Sequence, residues 1–166
     1  MTEMCVSAAN YIINSINEYN EGKQLRERIF MSSKRLQKLL FFSDVLYMVE
    51  NNGTSMFSDE FCAWPSGPVI PSVYKKFMQY QDGEMKPHDT EPHTPITFEM
   101  QHVIDRVLED TNHLDTVKLV DKSHEKNSPW YNIYNEDDGN CQIISKSSIY
   151  DYYKKNGAPY GSAVEN

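Results

Sequence analysis

Residues 32–53 constrain the fold more than any other stretch. Leu36, Leu39, Leu40, Ser43, Leu46 and Tyr47 recur at the helical period, and Phe42, Val45 and Val49 widen the stripe. An apolar face this broad needs neighbours on more than one side. The pattern predicts a central helix over about residues 31–51, capped by Ser32 or Ser33. Asn51-Asn52-Gly53 closes it with residues that tolerate the left-handed conformation.

Shorter elements surround this helix. A first helix is predicted over residues 4–19, with Val6, Ala9, Ile12, Ile13 and Ile16 on one face. An extended run over residues 59–64 leads to Pro65 and Pro68, which cannot donate to a ladder, so pairing is expected to stop there. Pro71 suits the first turn of a short helix with Val73 and Phe77 inside. Residues 82–95 read as an exposed loop punctuated by Gly83, Pro87, Pro92 and Pro95. Thr94-Pro95 then caps and starts a helix carrying Met100, Val103, Ile104, Val107 and Leu108. Asp115 caps the next helix, and Pro129 leads another. Residues 136–140 form an acidic turn, and 141–144 a second short strand. Ser145 caps a last helix, with Ile144 and Ile149 as its hydrophobic staple and Gly157 at its end. The expected fold class is mainly α: a single domain over residues 1–166, multi-helix around the central helix, with a small antiparallel β element and a loose tail after about 157.

At 166 residues the chain can bury one core, and 12% aromatic content argues against disorder. A net charge of −8 disfavours non-specific nucleic-acid binding. Lys23, Arg26, Arg28, Lys34, Arg35 and Lys38 nevertheless cluster early, as a solvated face or a docking patch for an acidic partner or operator DNA. The three cysteines show neither zinc spacing nor a disulfide framework, which points to a reducing, cytoplasmic setting. No apolar run is long enough to span a membrane, and the first residues do not resemble a secretory leader.

No phosphate loop, nucleophile elbow or zinc-protease motif occurs. Calcium fails on spacing, since Tyr134 and Ser145 fall where carboxylate ligands are needed. No spacing among the five histidines, His88, His93, His102, His113 and His124, supports a metal, and His102 and His113 are expected to face water. No catalytic residue, metal or cofactor is expected. His124 and Trp130 have two readings: a core plug with a histidine tying down its loop, or part of a recognition surface.

Three segments resemble the Panacea domain of SocA-like and GepA-like proteins. They are Arg35-Leu36-Gln37-Lys38-Leu39-Leu40-Phe41-Phe42, the corner Ala63-Trp64-Pro65-Ser66-Gly67-Pro68-Val69 continuing to Val73-Tyr74, and Ser123-His124 leading to Pro129-Trp130. Ser123 stands where the family often has Thr, and Phe41-Phe42 where it often has a Tyr. The resemblance implies an antitoxin-type, protein-binding domain of a toxin–antitoxin, phage or mobile-element system, and no enzyme. Its partner would be a cognate toxin, neutralised directly or presented to a cytosolic protease. The alternative is a DNA-binding regulator in which the helix pair 31–51 and 72–80 forms a winged-helix arrangement. The implied partner-binding residues are Trp64, Gly67, Pro68, Val69, Tyr74, His124 and Trp130.

Overall fold

The structure is a computed structural model that describes residues 2–80, 83–87, 95–134 and 142–160. Helix α1 spans Thr2–Asn20 and α2 spans Ser33–Glu50. Strands β1 (Phe61–Trp64) and β2 (Gly67–Val69) follow, then α3 (Pro71–Lys76), α4 (Phe98–Thr111), α5 (Thr116–Ser123) and α6 (Pro129–Ile133). Strand β3 (Ile143–Ile144) and α7 (Lys146–Asn156) complete the order. The chain is mainly α with one small antiparallel sheet in the order β2-β1-β3.

α2 is the axis of the molecule. Every residue from Arg35 to Met48 is buried, because α1, α4, α5, α7 and β2 all pack against it. The helix therefore has no solvent face over most of its length, which accounts for an apolar pattern too wide for one flank. Its start and stop follow the expected chemistry. Ser32 Oγ accepts the Arg35 N–H at 3.1 Å, and Asn52 and Gly53 turn the chain at φ 53° and 90°.

Burial of α2 also corrects the basic patch. Arg35 and Lys38 point inward, so two of the six clustered cations face protein and not solvent. Arg35 instead donates to the carbonyls of Thr111 and Leu114, fastening the α4–α5 connection to the central helix. A helix enclosed in this way has no face to lay in a DNA groove, so α2 is not itself a groove-reading helix.

Most remaining expectations hold. Asp115 and Ser145 cap α5 and α7 through their side chains, Pro129 opens α6, and Gly157 closes α7. The five apolar residues expected on α4 are buried, as are Ile144 and Ile149; His102 and His113 are exposed. α4 starts later than expected: Thr97, not Thr94, accepts from the Met100 N–H at 3.1 Å. Just beyond α7, Tyr160 packs against Phe42 at 5.3 Å between ring centroids, so the chain is not yet loose there. His88, His93, Thr94, Cys141, the acidic turn at 136–140, much of the 82–95 loop and residues 161–166 lie outside the described residues.

One β expectation and one about the cysteines need correction. Pairing continues past Pro65, because Pro65-Ser66 form a tight turn and β2 returns along β1 with Cys62 opposite Val69, Ala63 opposite Pro68 and Trp64 opposite Gly67. Proline is tolerated there because β2 is an edge strand. Cys62 is disulfide-bonded. That bond removes the support that the cysteines gave to a reducing setting. Cys5 is free and buried.

Candidate functional site

The corner from Trp64 to Pro68 is held from behind by side chains of α2. The outer backbone edge of β2 has no strand neighbour, and unpaired carbonyls and N–H groups there would be costly if buried. Gln37 and Lys38 satisfy them. The Gln37 amide accepts from the Ile70 N–H at 2.9 Å and reaches back to the Ile70 carbonyl. Lys38 Nζ donates to the Pro68 carbonyl at 2.6 Å. Two helix side chains thus do the work of a missing strand.

Lys38 is wholly enclosed, at 0% exposure, and no carboxylate pairs with it among the described residues. Burial, joined by the like charge of Lys34, lowers its pKa to about 7. Gly67 is what lets this amine approach. Its φ of 110° is one that side-chain-bearing residues rarely adopt, and a β-carbon there would overlap Ser123 Oγ and lie 3.1 Å from Lys38 Cε. Ser123, buried at the end of α5, turns its own hydroxyl to the Val120 carbonyl at 2.7 Å.

The third signature segment grips the same corner from α6. Trp130 is 8% exposed, and its indole N–H donates to the Trp64 carbonyl at 2.7 Å. Tyr134 stacks on the Trp130 ring at 4.7 Å, and His124 meets it edge-on at 4.8 Å. The loop tie expected of His124 thus falls to the indole: His124 Nε2 is buried without a hydrogen-bond partner, and Asp121 lies 3.8 Å away. Burial lowers the His124 pKa against the opposing pull of Asp121, with Lys38 lowering it further.

In front of the corner lies an open groove of about 520 Å³. Ser33, Lys34 and Gln37 of α2 form one side, and Trp64, Val69 and Tyr74 the other. Trp64 and Tyr74 stand edge-to-face at 5.1 Å, the spacing at which two rings form a stable apolar wall.

The seven residues expected to bind a partner therefore divide by position. Trp64, Val69 and Tyr74 line the groove. Gly67, Pro68 and Trp130 build the support behind it, and His124 packs on Trp130. Sequence reasoning missed Gln37 and Lys38 as parts of this assembly and Lys34 as part of its wall. The available signal was the apolar stripe itself: polar residues set inside so wide a stripe must be buried and bonded.

Residues 36–131 match the sequence model of a family described as antitoxin SocA-like, Panacea domain. That span contains all seven candidate residues. No curated protein matches the chain, and no solved structure does.

Proposed function

We propose that this chain, which belongs to the SocA-like, Panacea-domain antitoxin family, acts as the protein-binding antitoxin of a toxin–antitoxin pair carried by a phage or other mobile element. It neutralises a cognate toxin in the cytoplasm by gripping it, either covering the toxin directly or presenting it to a protease. In this reading it transforms no substrate.

The observation that carries the proposal is the convergence of three signature segments on one braced corner. Gln37, Lys38 and Trp130 each hydrogen-bond to backbone of residues 64–70. These three polar side chains are thereby engaged within the fold. Pro65 and Pro68 restrict the backbone further, so little entropy is lost when a partner docks. Trp64 and Tyr74 offer the kind of aromatic area that anchors protein interfaces.

Co-expression with the product of the neighbouring reading frame tests this. The wild-type chain should relieve growth arrest and co-purify with the toxin. Trp64→Ala and Tyr74→Ala, checked as folded by circular dichroism, should each weaken binding by about tenfold or more. Full neutralisation and unchanged affinity in both folded variants would overturn the proposal.

A further inference from the structure

We infer that the groove in front of the corner seats an acidic segment of the partner protein, with a carboxylate against Lys34 and an apolar side chain beside it on the Trp64–Tyr74 wall. This inference rests on the binding role proposed above and adds the chemistry of the occupant.

Charge complementarity is the ground for it. The chain carries a net charge of −8, yet Lys34 is the single charged residue in the groove lining. Lys34 is exposed and forms no ion pair among the described residues. Of its polar neighbours, Ser32 caps α2 and Gln37 holds the Ile70 backbone. Lys34 is thus the charged group left for a ligand, with the Ser33 and Ser66 hydroxyls beside it.

Lys38, one turn further along α2, adds a second positive charge when protonated. The two amines repel each other, and an anion at Lys34 would relieve that repulsion. The other wall is apolar and rigid, so the groove asks for a carboxylate and an apolar side chain together. The overall acidity steers a basic toxin from a distance; the local reversal of sign at Lys34 sets which of its segments enters.

A random peptide library displayed on phage, selected in parallel on wild type, Lys34→Glu and Trp64→Ala, tests the inference. Wild type should enrich Asp or Glu next to an apolar residue. Lys34→Glu should lose the acidic preference, and its affinity for a synthetic copy of the enriched peptide should fall by about fivefold or more. Trp64→Ala should lose the apolar preference. Wild-type enrichment of neutral peptides, no enrichment at all, or the same acidic motif on Lys34→Glu would overturn the acidic occupant. So would a wild-type dimer in sedimentation velocity that Trp64→Ala dissolves, which would assign the groove to a second copy. The binding role fails separately: it falls if the toxin binds folded Trp64→Ala and Tyr74→Ala unchanged, and it survives if only the charge preference is missing.

Discussion

At Gly67 two independent demands meet: a backbone angle of 110° and an absence of room beside Ser123 and Lys38. Gly67→Ala should therefore cost about 2 kcal/mol or more in urea unfolding. Pairing it with Ser123→Gly should recover the steric share and leave the conformational share. A Gly67→Ala protein as stable as wild type would show that the hairpin can re-form without this close approach. The same geometry explains why larger substitutions at Gly67 make poor probes of binding: they damage the support before they touch the groove. Trp64 and Tyr74 are better probes, since both are only partly buried and sit on the groove side.

Among the elements, α7 is tied to the centre by charge. Asp44 is fully buried and accepts from the Met56 N–H at 2.7 Å, from Ser55 and from Lys146 Nζ at 2.7 Å. Lys146 also lies over the Phe61 ring at 4.8 Å. Breaking a buried pair from one side leaves an uncompensated charge, so Asp44→Asn should lose about 3 kcal/mol in equilibrium unfolding. Lys146→Met should lose a comparable amount, because it leaves the fully buried Asp44 carboxylate with neutral donors alone, and the double variant should recover part of the loss. A change under about 1 kcal/mol for Asp44→Asn would mean that the tie contributes little.

The helices were largely legible because their signals are local: a capping hydroxyl, a proline at the first position, a stripe at the right period. Ser32, Asp115, Pro129 and Ser145 all behave this way. What stayed hidden depends on residues distant in sequence. Pro68 looks like a strand breaker until the missing neighbour of β2 is found to be a pair of side chains from α2. Arg35 and Lys38 look solvated until five elements are seen to close over the helix. The candidate residues were found as a set, but their division into groove wall and support came only from the fold.

For the molecule as a whole, an enclosed amine without a counter-ion among the described residues makes stability depend on pH. The pKa of Lys38 is lowered from 10.5 to about 7 in the folded chain, so between those values the unfolded state binds the extra proton. Stability should rise as pH rises from about 7 toward 9. Below about 7 the full cost of burying the ammonium is carried. Lys38→Met should flatten that rise in urea titrations at successive pH values, while an identical slope in the variant would place the proton elsewhere. The enclosure of α2 has one more outcome. Helices α1 and α7 lie outside the matched span 36–131, yet both pack on α2. Recombination between genomes can trade surface loops of such a domain freely, but a graft cut at the borders of the recognisable motif would arrive with its axis stripped on two flanks. Helices α1 and α7 should therefore travel with the motif whenever the module is transferred.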